Sequence, residues 1–328
     1  ALLEARLSQK QVENLLKLRS SVSLEQVWQR LEAFKIEVLT WDNQAYPRRL
    51  REITQPPPVL YMRGSLLPQD EWGVAVVGTR RLTAYGRQVT EELGSALAQH
   101  GATLVSGLAR GIDAVAHQAA INAGGRTLAV MGCGLDTIYP PEHRRLADQI
   151  IENGALLSDY GPGVPPEAQN FPPRNRIISG LSLAVVVVEA GLTSGALITA
   201  RFAADQGRDV FATPGGIYAP QSKGCNRLIQ DGAQLYMQPQ DVLASLELEK
   251  APAFRSARQE LPVDALEARL VNLLSQEPLH VDEIRQLLSL PVEQVSASLT
   301  MLELKGFVRN LGGMQYVAAR ERVADYDV

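Results

Sequence analysis

Arg80, Arg81, Arg110, Arg174, Arg176 and Lys223 all fall in short segments that come after apolar, strand-like runs. Four segments in such positions carry glycine or a hydroxyl, three of them with at least one of these cations: Gly78-Thr79-Arg80-Arg81, Ser106-Gly107-Leu108-Ala109-Arg110-Gly111-Ile112-Asp113, Thr193-Ser194-Gly195, and Pro214-Gly215-Gly216 with Ser222-Lys223. Glycine allows close backbone approach, and the free N–H groups at a helix start attract anions. The chemistry this suits is the gripping of phosphate. The fifth segment is Phe171-Pro172-Pro173-Arg174-Asn175-Arg176, an aromatic beside two arginines and an amide. Aromatic faces stack bases while arginines hold phosphates, so this mix fits a single nucleic-acid strand.

Each motif has a plainer reading. Arg80 could be a solvated side chain on a tight turn, and Phe171 could belong to the core. Asp113 is placed to cap a helix; His117, four residues on, would make an acid–base or metal pair with it only in the less favoured reading. Arg80 occupies the position of the second glycine of a dinucleotide fingerprint, so Gly78 does not open a G-x-G-x-x-G motif. Cys133 and Cys225 have no metal-like spacing, and Cys133 has no histidine near it in sequence. No catalytic residue, metal or cofactor is therefore expected.

The elements that position these loops are read from the apolar pattern. Strands are expected at 74–77, 103–105, 127–130, 155–157, 184–188 and 210–212, with amphipathic helices between them. Continuous apolar runs mark strands buried on both faces, and their alternation with helices predicts a doubly wound, mostly parallel α/β sheet. In such a sheet the strand C-termini share one edge, so the loops can converge. Residues 1–71 read as a small helical domain (SAM- or helix-hairpin-helix-like) and a proline-stiffened connection, and 72–248 as the Rossmann-like domain. A polar linker is expected at 249–261, then a winged helix over 262–320, with helices at 266–274, 281–288 and 292–305 and a hairpin around Gly312-Gly313, and a tail at 321–328.

The chain has 328 residues, 45% of them hydrophobic and 5% aromatic, with a net charge of −4. That balance argues against a protein that coats nucleic acid through general basicity and in favour of a local cationic cluster. The winged helix has an acidic balance, and its 292–305 helix carries Glu293 and Glu303 against Lys305. It is therefore expected to contact protein rather than to be the main DNA site. Cysteine usage and the lack of a long apolar run or signal peptide suggest a cytoplasmic protein.

Taken in order, VVGTR, SGLARGIDAVAH, GCGLDTIYP, FPPRNRIISGLS, VVEAGLTSGALITARFAADQGRDVFATPG and SKGCNRLIQDGA resemble the DNA-processing (DprA/Smf) family. The resemblance covers nearly all of the second part, and the helical and winged-helix flanks fit it. It implies an extended Rossmann fold and a recombination mediator that binds single-stranded DNA, dimerises, and helps load a RecA-type recombinase in natural transformation. Carried over, the DNA pocket would use Gly78, Thr79, Arg80, Arg110, Phe171, Arg174, Asn175, Ser194 and Gly195. Ser106, Arg176 and Lys223 join them from the strand-end loops. The dimer surface would lie around Asn226, Ile229 and Leu235. The alternative is a nucleotide-binding or phosphoribohydrolase-type enzyme of the same superfamily. Those enzymes carry Pro-Gly-Gly-x-Gly-Thr-x-x-Glu, whereas Pro214-Gly215-Gly216 is succeeded here by Ile217-Tyr218-Ala219, with no glutamate.

Overall fold

The computed structural model describes residues 8–21, 23–246, 265–274, 279–288, 290–304 and 308–318. The chain forms two compact units, Ala1–Glu249 and Lys250–Val328. The expected linker at 249–261 and the tail at 321–328 lie outside the described residues.

The first unit opens with α1 (Gln9–Ser21) and α2 (Leu24–Ala33). Ser23 caps α2, its hydroxyl accepting from Gln26 N. The chain then enters β1 (Glu37–Thr40), a one-turn α3 (Arg48–Arg51) and β2 (Val59–Gly64). β1 pairs antiparallel with β2, and β2 pairs antiparallel with β6 (Gly154–Ser158). The region before residue 72 therefore contributes two strands to the main sheet and belongs to the same compact unit as the strands after it.

The rest of the sheet is parallel: β3 (Gly73–Val77), β4 (Thr103–Ser106), β5 (Thr127–Val130), β6, β7 (Ala184–Val187), β8 (Asp209–Ala212) and the short β9 (Gln234–Leu235). The spatial order is β1-β2-β6-β5-β4-β3-β7-β8-β9. The chain moves outward from β3 through β4 and β5 to β6, then returns to place β7 on the other side of β3. The switch point of this doubly wound sheet thus lies between β3 and β7, where the loops leaving the strands diverge and open a crevice.

Helices α4 (Ala84–Gln99), α5 (Ile112–Asn122), α6 (Arg144–Glu152), α7 (Phe171–Gly180), α8 (Gly195–Asp205), α9 (Lys223–Gln230) and α10 (Pro239–Ser245) make the connections. Every residue of β3 to β7 is buried, as their unbroken apolar runs require. Fully burying side chains such as Val76 or Val186 stabilises the fold by about 2 kcal/mol each. Close helix packing relies on small residues: a Cβ on Gly94 of α4 would come within 2.8 Å of Ala119 Cβ on α5.

The second unit has α11 (Ala265–Leu274), α12 (Val281–Leu288) and α13 (Val292–Leu304), and a three-stranded sheet. The sheet pairs β10 (Leu279–His280) and β11 (Val308–Gly312) with β12 (Gln315–Ala318). Leu270, Leu274, Ile284, Val295, Leu299 and Leu302 form its own core, giving the winged helix expected from the sequence. The wing turns through Gly313 and Met314, both at φ +60°.

Candidate nucleic-acid interface

Backbone contacts tie the loops after β3, β4 and β7 together before any side chain is considered. Thr79 N donates to Glu189 O at 2.7 Å, and Ile112 N donates to Thr79 O at 3.2 Å. Gly111, at φ +80°, sits where a Cβ would collide with Thr79 O, so only glycine lets the two loops approach this closely. The Glu189 carboxylate, buried below, accepts from Thr83 N at 2.9 Å and from the Thr83 hydroxyl at 2.6 Å. Thr83 in turn caps α4 by accepting from Gly86 N.

Above this knot lies an open crevice of about 850 Å³, bordered by the loops after several of the parallel strands. Of the site residues read from sequence, Gly78, Thr79, Arg80, Phe171, Arg174, Asn175, Ser194 and Gly195 all line it. Ser194 is the N-cap of α8, so the first N–H groups of that helix open onto the crevice and favour negative charge there. Arg80 is exposed at the rim, its Cζ 5.9 Å from the Phe171 ring centroid.

Arg174 forms the floor. It is only 4% exposed; its Nη2 donates to Gly107 O at 3.0 Å and its Nε meets no acceptor. A Cβ at Gly107 would fall on the guanidinium, which explains the glycine there. Burial pulls Arg174 down to about 10, with Asp113 opposing and Arg80 reinforcing the shift, so it stays charged at neutral pH. It also stands 5.8 Å from the Phe171 centroid. Phe171 packs further against Tyr139, at 5.6 Å and 42°, and closely against Gly132. Its ring is therefore a platform that carries two arginines.

Four expected site residues stand elsewhere. Ser106 is fully buried and donates to Val76 O at 2.7 Å, bracing β3 against β4. Arg110 is exposed but pairs with Glu142 at 2.5 Å in the 3-10 turn Pro141–His143. Arg176 is taken by Asp159 at 2.9 Å and by Gln55 O at 2.9 Å. Lys223 is exposed at the start of α9, beside the loop after β8 and outside the crevice lining.

Asp113 differs from the capping role expected of it. The N-cap of α5 is Gly111, and the Asp113 carboxylate accepts from Gly107 N at 3.1 Å and Ala109 N at 3.4 Å, closing the preceding loop. Burial raises its pKa, against the pull of Arg174 and the two amides. His117 is buried, within 2.6 Å of Thr127 Oγ1, and is pushed down to about 3 by burial, His143 and Arg174. It is thus neutral at physiological pH and structural. Among the described residues no group of His, Cys, Asp and Glu could hold a metal ion. Burial likewise pushes the Cys133 thiol up to about 11, far from a thiolate nucleophile.

Thr193 and Thr199, hydroxyl residues of the motif around Ser194, also line the crevice, as do Tyr139 and Gln221, which the sequence did not single out as site residues. Tyr139 lies in a patterned segment, yet nothing in its type marks it as a lining residue. Of the expected dimer residues, Asn226 holds the loop after β8 from within, Nδ2 to Gly215 O at 2.9 Å. Ile229 is half-buried against the core, and Leu235 is 46% exposed on the edge strand β9.

A family model described as DNA recombination-mediator protein A matches residues 37–247, and one described as the DprA winged helix domain matches 254–314. Protein Smf of Synechocystis sp. is 39% identical over 343 residues, covering 94% of this chain and 86% of that protein. Protein Smf of Escherichia coli is 42% identical over 306 residues, covering 90% and 80%. The X-ray structure of DNA processing protein A from Streptococcus pneumoniae is similar at TM-score 0.64 and 41% identity, over 70% of this chain and 80% of that one. A DNA processing protein A structure from Helicobacter pylori, described for its unique single-stranded DNA binding mode, is similar at TM-score 0.59 and 33% identity, over 65% and 96%.

Proposed function

The chain belongs to the DNA recombination-mediator protein A family, and on that premise we propose that it binds single-stranded DNA in the switch-point crevice and, as a homodimer, helps load a RecA-type recombinase on incoming DNA in natural transformation. The observation that carries the DNA reading is the Arg174 guanidinium: charged, buried on the crevice floor, donating to the Gly107 carbonyl, with Arg80 and the α8 N-terminus lining the same opening. A cation held this way is stabilised by an anion entering the crevice. An open groove with phosphate donors along its length suits a strand more than a small enclosed molecule.

The protein's role is binding, without a chemical step. Asp113, the carboxylate in the crevice lining, is engaged by backbone amides, and His117 is held neutral in the core, which favours a binding role for the crevice. The cytosol is the compartment where this partner set is found. Among the described residues no helix is long and apolar enough to cross a membrane.

The test is a titration of labelled single-stranded and double-stranded oligonucleotides at several salt concentrations. Single strands should bind more tightly, with little base preference. Arg80→Ala should weaken binding and lower the slope of log K against log salt by about 0.7. Equal affinity for duplex and single strand, or an unchanged slope in the folded variant, would refute the crevice as the DNA site.

A further inference from the structure

Beside the crevice lies a second cleft of about 580 Å³, shaped by Thr83, Tyr85, Pro214, Gly215 and Ser222. Gln221 lines both, and its Nε2 donates to Arg81 O at 3.4 Å, so the two hollows share one wall. The chemistry changes across that wall. The crevice is rich in guanidinium groups, whereas the cleft is mainly apolar, carries an aromatic ring, Tyr85, and has in its lining one carboxylate, Glu189, which is tied to Thr83 N and Oγ1. The Tyr85 hydroxyl donates to Pro214 O at 2.9 Å, which fixes the ring at the cleft margin.

The loop that forms the outer wall is built rather than slack. Asn226 grips Gly215 at both N and O, Ala219 N bonds Gly216 O at 2.9 Å, and Ser222 N bonds Ala219 O at 3.0 Å. The tip of this turn presents Ile217 and Tyr218, 69% and 89% exposed. The turn thus holds an aromatic ring in water beside the cleft that its own residues Gly215, Gly216 and Ala219 line. Lys223, also exposed, comes directly after Ser222 of the cleft.

We propose that this cleft is a second subsite of the same DNA surface, taking the base of a nucleotide next to the one held in the crevice. Tyr85 in the cleft lining and Tyr218 at the exposed tip of the loop that walls it are the stacking platforms, and Lys223, just outside the lining, meets the accompanying phosphate. This rests on the reading of the crevice as the single-stranded DNA site. The division of labour is physical: Phe171 already carries two guanidinium groups, while the Tyr218 ring stands in water. A base has a π-face on which any aromatic can stack, so the subsite adds affinity without sequence preference.

The experiment measures fluorescence anisotropy with labelled oligo-dT and with a matched oligonucleotide whose bases are removed, leaving the sugar–phosphate chain. Tyr218→Ala should bind oligo-dT about tenfold more weakly, Tyr218→Phe should bind as the parent does, and the Ala variant should match the parent on the abasic strand. Lys223→Ala should instead lower the salt slope by about 0.7 on both strands. Parent-like affinity of Tyr218→Ala for oligo-dT, or an equal loss on the abasic strand, overturns the subsite. So does a Tyr218→Ala protein that light scattering shows as monomer beside a dimeric parent, since the ring would then belong to a protein interface. If Arg80→Ala also leaves binding unchanged, the crevice reading itself fails; if Arg80→Ala weakens binding and Tyr218→Ala does not, only the subsite fails.

Discussion

The crevice and the winged helix are both shapes that proteins use to meet DNA, yet they treat charge in opposite ways. Around the crevice the carboxylates are buried and spent on backbone: Glu189 on the cap of α4, Asp113 on the amides of Gly107 and Ala109. Arg80 and Arg174 are left to face the opening. On the winged helix the acids face outward: Asp282 and Glu283 begin α12, and Glu293 and Glu303 are exposed on α13, which carries no lysine or arginine. A chain of net charge −4 thus holds a cationic site because of where its acids are hidden. Charge counted along the sequence shows the balance, and the fold decides which sign reaches the ligand.

The sharpest way to break this comparison is to remove the crevice floor. Arg174→Ala should abolish measurable single-stranded DNA binding and also lower stability by about 2 kcal/mol, through loss of the charged hydrogen bond to Gly107 O. A urea denaturation series reads the second effect. Arg80→Ala, at the exposed rim, should weaken binding and leave the urea midpoint in place. Were Arg174→Ala to bind DNA as the parent does, the floor would be purely structural and the crevice would lose its buried cationic centre.

This pair of arginines also shows how far the sequence could be read. Arg80 and Arg174 were legible because strand ends of a parallel sheet share an edge, so motifs after β3 and β6 can converge. Ser194 was legible as a hydroxyl before a helix. Arg110 was not: its motif is as strong, but Leu108, at φ +56°, and Gly111, at φ +80°, shape a turn that sends it toward Glu142, 32 residues away in sequence. Nor was Arg176, whose partner Asp159 comes directly after β6, ahead of the arginine's own helix. Ion pairs between loops depend on three-dimensional placement, which no local pattern encodes. The connection before residue 72 contains β2, whose antiparallel pairing with β6 was not legible, because that partner is remote in sequence.

A second effect concerns assembly. Leu235 sits exposed on β9, the last strand of the sheet, an edge open to a symmetric copy. Leu235→Glu should give a folded monomer by light scattering. It should bind long single strands several-fold more weakly, because two linked sites act together, and short strands as before. A variant that stays dimeric places the interface elsewhere. Tyr236, by contrast, is buried and belongs to the core, so its substitution would report on folding alone.

A smaller effect is expected at the Arg110–Glu142 pair. Both side chains are exposed, and a phosphate near Arg110 must compete with Glu142. Glu142→Gln should free the guanidinium and raise single-stranded DNA affinity by about twofold to threefold at low salt, fading as salt screens it. An affinity that falls instead would show that the pair orders the loop for binding.

The smallest effect should come from the largest deletion. The first unit has its own buried core, from Leu39 and Leu50 through Val185 to Cys225, and its own complete crevice. The winged helix has a separate core in which Leu299 and Leu302 of α13 are buried, leaving Gln294, Ser296 and Thr300 among acids on the outer face. A helix entering a major groove must approach phosphates on both sides, and exposed carboxylates oppose that. A chain ending near Lys250 should therefore keep its single-stranded DNA affinity within about twofold, keep its salt slope, and still dimerise. If the winged helix serves a protein partner instead, its loss should appear in a recombinase-loading assay while DNA binding is intact. If the shortened protein folds but no longer binds single strands, the outward acids of α13 do not keep DNA away, and the affinity resides in the winged helix.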